Sequence, residues 1–418
     1  MRVVEAGNKA TVYRQRMPGG SDCSAVPPLR VGIACGGTGG HLFPGLAVAE
    51  VLRQRGAEVT LFVSPKEVDR RAVRGVHGCA VEVLPVAAWQ AGSRWRCLTG
   101  WLRAWRRVRR LCRAGEAWVV LGMGGFSSVP VLGAARRAGH PVFLHESNAV
   151  PGRANRWLVR WVDRAFVGFE CAAKAWPGRP VECTGTPVRS SFAEAGRLDA
   201  IRRADEQRRV RLELGLEAEA PTVLVVGGSQ GARGLNEAVL QALPQWQRTR
   251  APVQWIHVTG QEDESRVRAA YAAQKVRAVV MPFSEAMAEL MLAATVVLSR
   301  AGASFLAELA AVGVPALLVP FPAAADDHQW HNARCLADSG AARVLRQSEA
   351  TPERLIRELG ELLDGDEVRR AMVTAQRRWH RPEAAARIAE ALWEAGQQRV
   401  AEVRPRVCCG PTVAAIHG

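Results

Sequence analysis

The stretch VGIACGGTGGH, residues 31–41, runs from a short apolar strand into a glycine-rich turn. A second stretch of the same form, TVLVVGGSQGA, occupies residues 222–232. Apolar residues at helical spacing follow each turn, so each half of the chain opens with a strand, a turn and a helix. Glycine-rich turns in this position let backbone amides approach a phosphate group. The repeated opening predicts two domains of the same type.

Short apolar runs alternate with longer amphipathic stretches after both openings. The runs cover residues 59–63, 81–84, 118–121 and 142–145, and then 253–258, 278–281, 295–298 and 316–319. Such alternation favours parallel sheets covered by helices. Because 418 residues are too many for one ordinary core, two domains are expected. We predict an α/β protein of two doubly wound, Rossmann-like domains that face each other across a cleft.

The predicted boundaries follow from composition. We expect a disordered N-terminal extension over residues 1–28, a first domain over 29–188, a second domain over 189–382 and a disordered tail over 403–418. The last strong helix, about 383–402, is expected to cross back to the first domain. The first 28 residues are basic but lack the apolar segment of a secretory signal. No uncharged apolar run approaches the roughly 18–20 residues that span a bilayer.

Charge is distributed unevenly along the chain. Residues 1–190 hold 28 Lys and Arg against 12 Asp and Glu, whereas residues 191–418 hold 28 of each kind. The whole surplus of +16 therefore lies in the first half. This asymmetry indicates an acidic surface met by that half: nucleic acid, anionic lipid or a phosphorylated substrate. The ten cysteines show no paired zinc or redox spacing, which favours free thiols in a reducing cytoplasm.

Polar residues follow several of the predicted strands. A third glycine turn covers residues 122–128. His145, Glu146 and Asn148 come at the end of the next predicted strand, which begins at residue 142. In the second half, residues 299–304 close a strand and open a helix that carries Glu308. The carboxyl ends of parallel strands are where doubly wound folds build their sites. The glycine spacings match neither a dinucleotide fingerprint nor a P-loop. One open alternative is a metal site made from Asp326, Asp327, His328, His331 and Cys335.

Several of these motifs occur together in one family. They are GGTGGH at 36–41 with FPG at 43–45, HExN at 145–148, PGxAN at 151–155, GGSQGA at 227–232, SRAGA at 299–303 with Glu308, and DHQxxN at 327–332. The sequence resembles the MurG family of undecaprenyl-diphospho-muramoylpentapeptide β-N-acetylglucosaminyltransferases. The resemblance runs in order from about residue 30 to 395.

The resemblance implies a two-domain glycosyltransferase fold of the B type. The implied donor is UDP-N-acetylglucosamine, held mainly by the second domain, and the implied acceptor is lipid I, the undecaprenyl-pyrophosphoryl-muramyl pentapeptide. Implied donor contacts are Ser229, Gln230, Gly302 and Ala303 at the phosphates, Arg189 at the diphosphate, Glu308 at the ribose, Gln329 at the sugar, and Ser284 with Met287 around the uracil. The implied acceptor side is Thr38, Gly39, Gly40 and Asn148. The chain departs from the family pattern at Phe126, Ser147, Thr186 and Phe305.

The implied chemistry makes a β-linkage from an α-linked donor, which requires inversion in a single displacement. The acceptor hydroxyl then needs a base. His41 is the candidate, because an imidazole on a glycine turn has a suitable intrinsic pKa. Glu146 is the rival base, or the group that orients His41. Arg189 and helix-start amides would stabilise the leaving UDP, so neither a metal nor another cofactor is implied.

A tryptophan-rich basic segment at 89–113 carries the strongest signal outside the site. Leu98, Trp101, Leu102, Trp105, Val108 and Cys112 recur at helical spacing, with arginines mostly on other faces. This pattern predicts an interfacial helix on anionic phospholipid. An ordinary domain helix with its apolar face in the core is the alternative. No nucleic-acid motif accompanies the charge. We therefore expect a peripheral protein at the cytoplasmic face of the bacterial inner membrane, without a nucleic-acid partner.

Two other functions remain open from the sequence. One is a different lipid-directed glycosyltransferase of the same fold, for example one acting on diacylglycerol. The other is a catalytically silent subunit that binds a nucleotide sugar and recruits a partner to the membrane. The presence of His41, Glu146 and Glu308 favours an active enzyme over the silent subunit.

Overall fold

The computed structural model describes residues 28–86, 94–113, 116–228 and 232–403. The predicted N-terminal extension and tail lie almost wholly outside these ranges. Part of the tryptophan-rich segment, residues 87–93, also lies outside them.

The first described domain is built on seven parallel strands. Its elements are β1 (Arg30–Ala34), α1 (Gly39–Gln54), β2 (Glu58–Val63), α2 (Glu67–Val73), β3 (Ala80–Val83), α3 (Arg94–Leu111), β4 (Trp118–Gly122), α4 (Ser128–Arg137), β5 (Val142–Glu146), α5 (Arg153–Leu158), β6 (Arg164–Val167), α6 (Glu170–Lys174) and β7 (Val181–Cys183). The strand order is β3-β2-β1-β4-β5-β6-β7. The order reverses between β1 and β4, so the loops after these two strands flank the crevice where doubly wound sheets bind ligands.

The second sheet has six described strands. The elements are α7 (Ser190–Arg197), α8 (Ala200–Glu213), β8 (Thr222–Val226), α9 (Arg233–Thr249), β9 (Gln254–Val258), α10 (Glu264–Ala273), β10 (Ala278–Met281), α11 (Met287–Ala293), β11 (Val296–Ser299), α12 (Ala303–Val312), β12 (Ala316–Leu318), α13 (His328–Asp338), β13 (Arg343–Val344), α14 (Pro352–Asp364), α15 (Asp366–Trp379) and α16 (Ala384–Val403). The strand order is β10-β9-β8-β11-β12-β13, again with a reversal beside the first strand. The prediction of two doubly wound domains is confirmed.

Central strands are apolar along their whole length because helices cover both faces of each sheet. In β1, Val31 and Ile33 pack under α1, while Ala34 joins the core on the opposite face. All five residues of β8 are buried. Parallel strands covered on both sides read as continuous apolar runs, which is why these strands could be located from the sequence.

The last helix, α16, lies on the first domain. It contacts α1 and β4, and Ile388 and Leu392 are fully buried in the core that contains Val31. Gly396 permits this close approach, because a Cβ atom there would lie 2.2 Å from the Leu29 side chain. The first domain is therefore assembled from two separate parts of the chain.

The helix α3 corrects one sequence expectation. The six apolar residues predicted to share one exposed face are divided between the core and the surface. Val108 and Cys112 are fully buried, and α3 packs against α4. Trp101 and Trp105 are half-buried, whereas Leu98 is 52% exposed and Leu102 is 38% exposed. A lipid-facing position is therefore wrong for Val108 and Cys112, because these two residues pack into the core, whereas Leu98 and Leu102 remain outside.

Among the described residues, no helix combines the length and apolar character needed to cross a membrane.

Candidate active site

A cleft of about 1280 Å³ lies between the two domains, beside the reversal points of both sheets. The domains touch at its floor, where the Ser304 hydroxyl donates a hydrogen bond to the Gly40 carbonyl oxygen at 2.7 Å. Thirteen of the predicted site residues line this cleft: Thr38, Gly39, Gly40, His41, Glu146, Asn148, Arg189, Ser284, Met287, Gly302, Ala303, Glu308 and Gln329. The other two, Ser229 and Gln230, lie outside the described residues.

His41 lies in the first turn of α1 and is held by two glycine turns. Its Nδ1 atom is 3.2 Å from the Thr38 hydroxyl. The ring packs against Gly124 and Gly125, whose φ angles of +101° and +75° favour glycine. A Cβ atom at Gly125 would lie 2.9 Å from the imidazole. Burial lowers the pKa of His41 to about 4, so the imidazole is neutral at pH 7 and can accept a proton.

Glu146 organises the loop that follows β5. One carboxylate oxygen accepts hydrogen bonds from the Asn148 amide (2.8 Å) and side chain (3.0 Å). The other accepts from the Gly152 amide (2.8 Å) and the Asn155 side chain (2.9 Å). Burial raises the pKa of this carboxyl, and the hydrogen bonds oppose that rise. With both oxygens engaged, the geometry favours a positioning role over a base, although its predicted catalytic role stays a prediction.

His145 does not belong to the described lining of the cleft. Its ring is fully buried, with Nε2 3.1 Å from the Gly185 carbonyl oxygen and Nδ1 3.3 Å from the Ser147 hydroxyl. This histidine therefore fixes the loop between the two domains.

Arg189 and Glu308 form an ion pair at the wall of the cleft. Nη2 and Nε of the arginine lie 2.9 and 3.2 Å from one oxygen, Oε1, of the glutamate. The guanidinium also stacks on the rings of Phe43 (4.2 Å) and Phe192 (4.6 Å). Burial raises the pKa of Glu308 and the arginine opposes this. Because both bonds reach Oε1, the second carboxylate oxygen is the one available to a ligand.

The start of α12 supplies the strongest anion-binding feature of the described cleft. Its N-cap residue, Gly302, makes no side-chain cap, and a Cβ atom there would meet open space. The first amides of this helix are therefore exposed to a ligand, and the helix dipole favours negative charge at this end. A diphosphate fits this position by charge and by hydrogen bonding.

The remaining predicted contacts, Gln329, Ser284 and Met287, line the same cleft. Gln329 uses Oε1 to accept hydrogen bonds from Ala301 (3.2 Å) and Phe321 (3.0 Å), which leaves its amide nitrogen for a ligand. Ser284 caps the turn before α11 through Ala286 at 3.2 Å, and Met287 begins that helix.

Asp326 and Cys335, two residues of the alternative metal site, have separate partners. Asp326 pairs with Arg153 and Arg156 across the cleft mouth, and the Cys335 sulfur faces Cys171. Over the described ranges, no three His, Cys, Asp or Glu side chains converge as metal ligands would.

Arg300 and Asn332 belong to the quoted motifs but were not selected as site residues from the sequence. Arg300 lines the cleft and is 6% exposed, and its guanidinium donates to the carbonyl oxygens of Val319 (3.0 Å) and Pro320 (3.2 Å). Asn332 is fully buried between the domains. Both residues stand inside motifs, which could have drawn attention to them. A motif does not show where a side chain points, however.

Two family models match the chain. The glycosyltransferase family 28 N-terminal domain matches residues 31–167, and the glycosyltransferase family 28 C-terminal domain matches residues 222–390.

Relatives cover most of the chain. A UDP-N-acetylglucosamine–N-acetylmuramyl-(pentapeptide) pyrophosphoryl-undecaprenol N-acetylglucosamine transferase of Acidithiobacillus ferrooxidans is 41% identical over 369 residues, which are 87% of this chain and 96% of that protein. A protein of the same description from Sorangium cellulosum is 38% identical over 87% of each chain.

Solved structures agree with the fold. The crystal structure of Acinetobacter baumannii MurG is similar at a TM-score of 0.66 and 29% identity, over 88% of this chain and 100% of that one. A glycosyltransferase from Rickettsia africae, at 8% identity and a TM-score of 0.59, covers 88% of this chain and 98% of its own, and shares the fold alone.

Proposed function

The chain belongs to glycosyltransferase family 28 and, within it, to the MurG enzymes, and on this premise we propose how it performs their reaction. The protein is a glycosyltransferase of the B-type fold. It transfers N-acetylglucosamine from UDP-N-acetylglucosamine to the C4 hydroxyl of the muramyl sugar in lipid I, giving lipid II for peptidoglycan synthesis. The observation that carries this function is the interdomain cleft, which brings the His41 turn opposite the start of α12.

The acceptor side is formed by the first domain. Thr38, Gly39, Gly40 and Asn148 border the space in front of His41. The acceptor oxygen attacks the anomeric carbon, its proton moves to the neutral His41 imidazole, and the bond from that carbon to the UDP oxygen breaks. One bond forms and one breaks on opposite faces of the carbon, which inverts the linkage.

The donor side is formed by the second domain. The exposed amides of α12 at Gly302 and Ala303 receive the diphosphate, together with the predicted contacts at Ser229 and Gln230. Arg189 lies at the same wall and adds positive charge to the departing UDP. Glu308 offers its second oxygen to the ribose hydroxyls, Gln329 contacts the transferred sugar, and Ser284 with Met287 borders the uracil.

The direct test is a transfer assay with purified protein. Radiolabelled UDP-N-acetylglucosamine and lipid I should give labelled lipid II, while diacylglycerol should give no labelled product. Transfer to diacylglycerol instead would indicate another lipid-directed enzyme of this fold. Binding of the nucleotide sugar without transfer to either acceptor would indicate a silent binding subunit.

We also propose that the first domain binds the cytoplasmic face of the membrane as a peripheral protein. On α3 the exposed leucines, Leu98 and Leu102, lie among exposed arginines such as Arg103 and Arg106. On the same face of the sheet, Trp157 in α5 and Trp161, three residues beyond its end, are 49% and 54% exposed. Apolar side chains inserted among cations suit an anionic lipid surface.

Removing the two exposed leucines of α3 should weaken membrane binding without unfolding the protein. Fully burying a leucine stabilises by about 1.5–3 kcal/mol, and these partly exposed ones gain less, so Leu98→Ser with Leu102→Ser should lower vesicle binding about ten-fold. The measurement is co-sedimentation with phosphatidylglycerol vesicles at low salt. Binding should also weaken near physiological salt, where the screening length is about 8 Å.

The matched control is a pair of exposed apolar residues in the second domain. Ile201 and Leu212 on α8 are 76% and 62% exposed, so Ile201→Ser with Leu212→Ser removes more exposed apolar surface than the α3 variant does. This control should leave vesicle binding unchanged. Equal loss of binding in both double variants would argue against a lipid-facing α3, and a fall in Tm confined to the α3 variant would place its leucines in the core.

A further inference from the structure

The two domains meet at a small joint made by α13 on one side and the loop after β5 on the other. Asn332, on α13, lies at the centre of this joint and is fully buried. Its side-chain amide makes three hydrogen bonds. A buried amide that is fully paired is fixed in orientation, because losing any partner leaves a polar group unsatisfied.

Two of the three bonds cross between the domains. Oδ1 of Asn332 accepts a hydrogen bond from the Ala149 amide at 2.8 Å, and Nδ2 donates to Oδ1 of Asn148 at 3.1 Å. The third bond stays in the second domain, where Nδ2 donates to the Ala301 carbonyl oxygen at 3.2 Å. Ala301 lies immediately before Gly302 and the exposed start of α12.

We propose that Asn332 is a positioning residue for glycosyl transfer, which sets the distance between the acceptor loop and the donor helix. The proposal rests on the function proposed above. One amide group holds Asn148, which borders the acceptor side, and the carbonyl of Ala301, which precedes the donor-binding amides. Separating the domains breaks the two bonds that cross the joint, so the spacing of the reacting groups depends on this residue.

The chemistry of the joint requires an amide. The Ala149 amide needs an acceptor, whereas Asn148 Oδ1 and the Ala301 carbonyl need donors. Aspartate has the same shape and accepts from Ala149, but its carboxylate cannot donate to the other two oxygens. Asn332→Asp therefore removes the two donated bonds while keeping the volume of the side chain.

Two cysteines that face each other across the joint allow its closure to be measured. Cys335 lies one turn after Asn332 on α13, and its sulfur is 3.6 Å from the sulfur of Cys171 in the first domain. The hydrogen bond between the two thiols lowers the pKa of Cys171 to about 7, which favours its reactive thiolate form. Diamide, an azo oxidant, takes two electrons and two protons from the pair and leaves a disulfide. The rate of that cross-link reports how often the joint is closed.

The experiment compares the wild type with Asn332→Ala and Asn332→Asp. Both variants should bind UDP within about threefold of wild type, because the donor helix belongs to one domain. Their kcat should fall about 10- to 100-fold, and diamide should form the Cys171–Cys335 disulfide at least fivefold more slowly. Peptide mapping by mass spectrometry identifies the cross-link, and Cys171→Ser should abolish it.

Asn236→Ala is the matched control. Asn236 is also fully buried and its amide makes three hydrogen bonds, but it lies inside the second domain beside His257 and Asp263. Its loss should lower Tm without slowing the cross-link. Unchanged kcat and an unchanged cross-linking rate in both Asn332 variants would overturn the proposal. A cross-linking rate that falls equally in the Asn332 variants and in Asn236→Ala would also overturn it. A wild-type protein that forms the cross-link but transfers no sugar would contradict the proposed function and not the joint.

Discussion

Replacing His41 with alanine is expected to lower kcat for transfer by about 10²–10⁴-fold, because a positioned general base contributes an acceleration of that size. UDP binding should stay near the wild-type value, since His41 belongs to the acceptor domain. The measurement is kcat with saturating donor and lipid I, together with Kd for UDP. His77→Ala is the control, because His77 is an exposed histidine of the same domain.

The pH dependence gives the same prediction a second readout. A base must be unprotonated in the free enzyme, so kcat/KM is lost as the pH falls through the pKa of His41. Because burial lowers that pKa to about 4, kcat/KM should stay nearly level from pH 7.5 to 5.5. A decline centred near 6.5, or an Ala variant with wild-type kcat, would remove His41 as the base and turn attention to Glu146.

Replacing Glu308 with alanine should raise the KM for UDP-N-acetylglucosamine by about 10- to 150-fold. Losing a carboxylate that accepts bonds from ribose hydroxyls costs about 1.5–3 kcal/mol, and each 1.4 kcal/mol is tenfold in affinity. The variant also frees Arg189 from its ion pair, which acts in the opposite direction by exposing a cation to the diphosphate. Because these two effects oppose each other in KM, a second measurement that depends on the ribose contact alone is needed.

Binding of UDP and of 2′-deoxy-UDP supplies that measurement. Wild type should prefer UDP because the second oxygen of Glu308 meets a ribose hydroxyl, and Glu308→Ala should lose the preference. Glu308→Gln keeps the volume of the side chain, and its preference for UDP should lie between those of wild type and Glu308→Ala. Glu289→Ala removes an exposed carboxylate from α11 and should leave the affinity for both ligands unchanged. An undiminished preference in Glu308→Ala would place the ribose elsewhere.

Strands with a continuous apolar run were located from the sequence, including the edge strands β3 and β10, whereas three strands without such a run were not. The predicted runs 118–121 and 278–281 coincide with β4 and β10 within one residue. Strands β6, β7 and β13 were missed. They are two to four residues long, and β6 begins with Arg164 and β13 with Arg343, so they lack the apolar run on which the prediction depended.

The candidate site was predicted residue by residue, but its pairings were not. Motifs and glycine turns indicated which loops meet, because the carboxyl ends of parallel strands share an edge. The pairing of Arg189 with Glu308 joins residues 119 positions apart, and Asn332 with Asn148 joins residues 184 positions apart. Such contacts depend on how two separately folded sheets are placed, which no local pattern encodes. The same limit applies to α3, where periodicity could not distinguish the covered side from the exposed one.

The return of α16 to the first domain has a consequence for synthesis of the protein. The ribosome delivers residues 28–183 first, yet Leu29 and Val31 are buried against a helix that begins at Ala384. All the strands of the second sheet emerge before that helix does. The usual order, in which the N-terminal domain matures first, is therefore reversed at this face. Until the last turns leave the exit tunnel, the nascent first domain presents an uncovered apolar groove where Leu29 and Val31 lack their cover.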